Sequence, residues 1–242
     1  MKYAIIAAGE GSRLAQEGVS APKPLVKING ECLIDRLIRV FMENDAEEII
    51  VICNEFMTDV REHLKQLRND GLDGKELPLT LVVKTTPSSM HSFHEISRYL
   101  KGGLFCLTTV DTIFREDEFS RYIADFKAAA STCEADGVMG VTDFIDDEKP
   151  LYVGTDADMD ITAFLDENDG CRYISGGIYG LTGRSIGILE GCIERDESRM
   201  RNFQRALVRE GCLLKAWPFS KVLDIDHASD IVKAEQFLAE KR

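Results

Sequence analysis

The residues best suited to chemistry gather near the amino end, as Gly9-Glu10-Gly11-Ser12-Arg13 and then Pro22-Lys23-Pro24-Leu25. Residues 3–6 ahead of them form an apolar run that reads as a buried strand. A strand that opens into Gly-x-Gly bares backbone N–H groups and makes a concave cradle for anionic oxygens. Arg13 adds a forked, permanently charged donor and Lys23 a compact point charge, both suited to phosphate. The loop has neither the Gly-Lys-Ser/Thr ending of a P-loop nor the third glycine of a dinucleotide fingerprint. Far along the chain stand carboxylates of the kind that hold a hard cation. Asp111 closes the apolar run 104–110, and at the carboxyl end of a parallel strand it would face the same crevice as the glycine loop. A helix cap or a plain loop aspartate is the alternative. Asp224 and Asp226 share one face of an extended backbone, and Asp226 has the alternative of capping the last helix. No Ser/His/Asp or Cys/His arrangement is legible. His91 and His94 lack a third ligand of suitable type nearby and read as solvent-facing helix residues.

The segment from Ile5 to Leu25 resembles the opening of the NDP-sugar pyrophosphorylases, nucleotidyltransferases that make activated sugars and related headgroups. Their pattern is Ala-Ala-Gly-x-Gly-Thr/Ser-Arg-Leu, a variable gap and Pro-Lys-Pro-Leu, and every defining position is filled. The resemblance implies a sugar-1-phosphate nucleotidyltransferase-like enzyme in which Ala8, Gly9, Gly11 and Ser12 bind nucleotide. Arg13 and the amides of residues 9–12 would hold the leaving pyrophosphate, and Lys23 would neutralise charge on the transferred phosphoryl. It also implies Mg²⁺ on Asp111 and Asp224, with Asp226 the neighbouring candidate. Val110 stands where the family has glycine, and His227-Ala228-Ser229-Asp230 replaces its Thr-Pro-Glu-Asp. Residues 84–90 resemble the family's Asn-Thr-x-x-Ser segment for base and ribose, which singles out Thr86 and Ser88; a turn into a capped helix is the alternative. Ser175-Gly176-Gly177-Ile178-Tyr179 matches the Gly-Ile-Tyr strand and makes Gly177 and Tyr179 acceptor contacts. The family's acceptor-gripping lysine is missing from residues 163–167. Arg172, Lys149 or Lys221 would substitute, with spacing choosing none of them.

Composition bounds the rest. The 242 residues suffice for one large domain, and 44% hydrophobic with 29% charged is ordinary for a globular chain. A formal net charge of −13 argues against nucleic-acid or anionic-membrane partners and would attract divalent cations. An anionic substrate must then be held by local cations. Seven scattered cysteines without C-x-x-C spacing fit reduced thiols in the cytoplasm. No signal peptide or membrane-spanning run is expected.

These residues need a scaffold. Helical periodicity over residues 32–44, 56–68, 89–100 and 117–130 alternates with strands at 47–53, 77–83 and 104–109. That alternation predicts an α/β fold, a Rossmann-like doubly wound mixed sheet in three α/β/α layers. The rhythm then shifts to strands at 138–141, 151–154, 159–165 and 173–181. Helices at 185–194 and 198–210, strands at 213–217 and 222–225, and a helix over 228–241 close the chain. The expectation is a single domain, 1–242, with a nucleotide-binding half to about 135 and an acceptor-binding half after it. The acidic run 143–148 reads as a solvated loop.

The implied reaction is attack of an acceptor phosphate on the α-phosphorus of an NTP, releasing pyrophosphate. A sugar 1-phosphate is the first acceptor; phosphocholine or another non-sugar phosphate is the second. A GT-A-like glycosyltransferase would want Asp-x-Asp where Asp111-Thr112-Ile113 stands. A non-catalytic nucleotide-binding regulator has no need of Arg13, Lys23, Asp111 and Asp224 together. Base, acceptor and oligomeric state, a homo-oligomer included, are left open.

Overall fold

The computed structural model describes residues 1–9 and 11–240. The strand β1 (Lys2–Ala7) passes through the short helix α1 (Ser12–Gln16) and a 3-10 turn (Lys23–Leu25) to the hairpin β2 (Lys27–Ile28) and β3 (Glu31–Cys32). Then come α2 (Leu33–Glu43), β4 (Glu48–Cys53), α3 (Thr58–Asp70), β5 (Leu79–Val83), α4 (Ser89–Ser97), β6 (Phe105–Thr109), β7 (Thr112–Ile113) and α5 (Glu116–Ser131). Beyond them lie β8 (Gly137–Thr142), β9 (Tyr152–Thr155), β10 (Ile161–Leu165), β11 (Tyr173–Leu181), α6 (Arg184–Glu194), α7 (Met200–Arg209), β12 (Leu214–Phe219), β13 (Leu223–Asp224) and α8 (Ala228–Ala239).

One mixed sheet of nine strands runs through both halves in the order β10-β9-β11-β6-β1-β4-β5, with β8 and then β12 branching from β11. β5, β4, β1 and β6 are parallel, so their carboxyl ends open on one edge. β11 runs antiparallel to β6 and carries a bulge between Ser175 and Ile178. Alternation along β1 shows why helices cover both faces. Tyr3, Ile5 and Ala7 pack with α2, α3 and α5, whereas Ala4 and Ile6 pack with α4, α6 and α7. Among the described residues no helix is long and apolar enough to cross a membrane.

Differences from the expected boundaries have local causes. Asn54 Oδ1 accepts the Phe56 N–H at 2.9 Å, and that turn delays α3 to Thr58. α7 starts at Met200 because Arg199 sits at φ 72°. The last helix is described to Ala239; Lys241 lies outside the described residues. The β2–β3 hairpin, β7 and α1 are elements that periodicity did not predict.

Candidate active site

The four parallel strands end on a cavity of about 460 Å³. Each contributes the residues that follow it: Ala8 and Gly9 after β1, Asn54 after β4, Thr85 to Ser89 after β5, and Val110 with Asp111 after β6. Gly11, Ser12, Arg13 and Lys23 complete the wall, so all six expected nucleotide contacts (Ala8, Gly9, Gly11, Ser12, Thr86, Ser88) share one cleft. Glu10, in the middle of that loop, lies outside the described residues. Gly11 adopts φ +61°, and a Cβ there would lie 3.0 Å from Lys23 Cβ. The motif's glycine is thus what lets the loop lie against the motif's lysine.

Lys23 is 9% exposed and its ammonium pairs with Asp111 Oδ2 and, at 2.7 Å, with Asp226 Oδ1. Burial alone would lower its pKa, but the two carboxylates, Asp111 foremost, outweigh it and hold the pKa up. Asp226 Oδ2 accepts from Arg13 Nη1 at 2.9 Å. Burial would raise Asp226; Lys23 and then Arg13 prevail and keep it low. Asp226 is therefore not the cap of α8. That position is His227, whose N–H donates to Asp230 at 2.8 Å while its ring pairs with Glu17 at 2.6 Å.

Asp224 and Asp111, 113 residues apart in sequence, meet through a two-stranded ribbon. β13 pairs antiparallel with β7, Asp224 standing opposite Thr112, and the Ile225 N–H donates to the Asp111 carbonyl at 3.1 Å. Asp224 is exposed by surface area, while its carboxyl group is closely surrounded by protein atoms. That crowding, then the Asp111 carboxylate, pushes its pKa up to about 8. Asp111 Oδ1 is buried without a hydrogen-bond partner. Val110, in place of the family's glycine, does not need a positive φ; its side chain is buried in the core beneath the loop.

A second cavity of about 240 Å³ adjoins the first, and Arg13 and Asp226 line both. Its walls include Ser175 and Gly176 of β11, Asp224, the start of α8, Phe144 and the acidic residues Asp146 to Glu148. The acidic residues of the run 143–148, read as a solvated loop, are exposed, and Asp146 to Glu148 among them also border this cavity. Gly177, Tyr179 and Arg172 line neither cavity. Gly177 (φ +69°) forms the β11 bulge, 3.3 Å (from a built Cβ) from Thr112 Oγ1, and Tyr179 is buried, its pKa raised by burial and then by Asp224. Arg172 is tied to Asp143 at 3.1 Å on the surface. Lys149 is exposed, and Lys221 lies 4.0 Å over the Phe144 ring. Besides Arg13, Lys233 of α8 lines the second cavity, paired with Asp146 at 2.7 Å.

Two placements went unread in the sequence. Lys233 sits on an ordinary amphipathic helix and carries no signal. Asn54 does: it is a polar residue ending an apolar strand, the rule that singled out Asp111. It is 4% exposed, and its amide accepts from Thr85 Oγ1 at 3.0 Å, joining the β4 and β5 loops. Ser88 both lines the cleft and caps α4, accepting from the His91 N–H at 3.5 Å. The His91 ring bonds Ser88 Oγ at 2.9 Å, and both helix histidines are half-buried rather than solvent-facing.

Among the described residues no group of three or more His, Cys, Asp or Glu side chains could hold a metal ion unaided. The donor set does fit a hard cation shared with phosphate: two carboxylates, one with an unpartnered oxygen and one whose pKa its surroundings and the neighbouring carboxylate raise.

The fold has close counterparts among solved structures. An inositol-1-phosphate CTP transferase from T. maritima aligns at TM-score 0.78 with 21% identity, covering 99% of this chain and 96% of that one. A putative glucose-1-phosphate thymidylyltransferase from Bacillus anthracis aligns at 0.81 with 18% identity, covering 100% and 96%. At such identities the likeness establishes the fold. In sequence, the bifunctional protein GlmU of Methanococcus maripaludis is 26% identical over the whole of this chain, which spans 55% of that protein's length. Residues 3–179 match the MobA-like NTP transferase domain, a span containing the glycine loop, Lys23, Asn54, Asp111 and the β11 bulge. The chain that folds these residues around one cleft belongs to the MobA-like NTP transferase domain family.

Proposed function

We propose that this chain transfers a nucleoside monophosphate from an NTP to a phosphorylated acceptor, a sugar 1-phosphate first, and releases pyrophosphate. The observation that carries the reading is the junction of the two cavities, where Lys23, Arg13 and Asp226 are joined by ion pairs beside Asp111 and Asp224. In this reading residues 1–135 hold the nucleotide and 136–242 the acceptor, the latter in the cavity beside Asp224. A phosphate monoester is anionic at neutral pH, so the attack needs alignment and charge neutralisation more than a strong base. Arg13 and the loop amides bind the departing pyrophosphate, exchanging the Asp226 carboxylate for phosphate oxygen. Lys23 meets the charge that grows on the transferred phosphoryl. Asp111 and Asp224 would hold Mg²⁺, which supplies charge neutralisation on the phosphates when bound. Unpaired thiols at all seven cysteines suit a reducing compartment such as the cytoplasm.

The test is pyrophosphate release with Mg²⁺, scanning CTP, UTP, GTP, dTTP and ATP against sugar 1-phosphates and phosphocholine. Acceptor-dependent release with one pair supports the reading and names both substrates. NTP binding without release across the panel favours a regulator.

A pH dependence follows from Asp224. With its pKa raised to about 8 in the metal-free protein, a proton must leave before the carboxylate can bind a cation. Mn²⁺ affinity therefore rises with pH through the range in which Asp224 ionises, above the usual carboxylate range, and levels off beyond it. Mn²⁺ titrations from pH 6 to 9 followed by electron paramagnetic resonance check this. A flat profile in the wild type would remove Asp224 from the metal site.

A further inference from the structure

Arg36 lies on α2, outside both site cavities, yet it is 2% exposed. Its Nη2 donates to the Phe114 carbonyl oxygen at 2.6 Å, and the guanidinium rests over the Phe114 ring, 5.1 Å from its centroid. Glu116 Oε1 is 3.4 Å away, but Arg39 already grips that carboxylate at 2.8 and 3.0 Å. Nε and Nη1 of Arg36 are buried with no hydrogen-bond partner. A buried cation with two unmet donors is a poor way to stabilise a core, where an apolar side chain of similar volume does as well or better. What Arg36 does that an apolar residue cannot is hold the Phe114 carbonyl.

That carbonyl is three residues beyond Asp111. Between them β7 pairs with β13, the contact that sets Asp224 beside Asp111. The Asp111–Phe114 segment is thus anchored at one end by the Ile225 N–H on the Asp111 carbonyl, and at the other by Arg36. We propose that Arg36 is a positioning residue for the Asp111–Asp224 pair: by fixing the Phe114 carbonyl it sets the seat of β7 on β13, and so the spacing of the two carboxylates. The inference rests on the metal-dependent reading proposed above.

Direct Mn²⁺ binding to the full chain, without nucleotide, tests it. Arg36→Met stays folded, with a Tm within a few degrees of the wild type or above it. Its Kd for Mn²⁺ rises at least about tenfold, as loss of groups that orient metal ligands does, and amide exchange at Ile225 quickens. Arg36→Lys, which keeps a donor for the carbonyl, returns the Kd to within about threefold of wild type. A purely structural arginine would lower the Tm of the Met variant and leave the Mn²⁺ Kd within twofold, and that result overturns the proposal. Should Arg36→Met not fold, Arg36→Leu, which likewise lacks a donor, decides by the same Kd criterion. Wild-type protein that binds no Mn²⁺ would bring down the metal reading and this inference with it; Mn²⁺ binding insensitive to Arg36 would bring down this inference alone.

Discussion

Replacing Lys23 with alanine lowers the rate of pyrophosphate release by about 10²- to 10³-fold, the loss typical of removing one preorganised donor from a developing anion. The effect falls on kcat more than on KM, because the ammonium is needed most where charge grows on the transferred phosphoryl. Lys23 is 9% exposed and is the cation between Asp111 and Asp226, so the deletion leaves two carboxylates facing each other. The cost to the fold is about 1–3 kcal/mol, limited because Asp226 is half-exposed and rehydrates in the cleft. A steady-state assay beside a thermal melt separates the two effects. Turnover within tenfold of wild type, in a protein that melts cooperatively, would exclude Lys23 from the chemistry.

Asp111→Asn has the larger expected effect on metal dependence. The substitution removes one of the two proposed metal carboxylates and the first partner of Lys23, while preserving the shape of the side chain. Metal ions contribute several kcal/mol to stabilising such transition states, and at about 1.4 kcal/mol per tenfold the rate falls by about 10³-fold or more. The metal-free protein loses little stability, since removing the Asp111 charge also removes one cause of Asp224's raised pKa. Asp224 then ionises at lower pH, and the rise in residual Mn²⁺ affinity with pH moves down the scale. Measuring Mn²⁺ Kd and turnover on the same preparation checks both. Unchanged Mn²⁺ affinity with unchanged turnover would leave Asp111 as a structural partner of Lys23.

Much of this could be read from local sequence, because the signals are local. A β-branched run ending in Asn54 or Asp111, a 3.6-residue period on α2 and Gly-x-Gly after β1 each act over a few residues. The choice of parallel strands followed from their alternation with helices. Some local signals were passed over. Asn29-Gly30, at φ 50° and 85°, is a hairpin turn, and it forms the β2–β3 link. The motif's internal logic was also local: Gly11 is glycine because Lys23 lies against it.

Tertiary structure decided what depends on pairing between distant segments. Asp111 and Asp224 come together only because two-residue strands, too short for any periodicity, pair as β7 and β13. Asp226 bridges Lys23 and Arg13 instead of capping α8, an outcome set by which neighbours arrive and not by its own flanks. Tyr179 and Gly177 fall behind the site because a bulge in β11 turns that stretch of strand. The acidic loop 146–148 and Lys233 come to the second cavity by the packing of α8 against it. By itself the sequence determined the fold class and the glycine loop, since backbone propensity and burial act residue by residue. The folded chain alone determined which charges meet, because a Coulomb interaction depends on distance in space and the chain's long-range contacts set that distance.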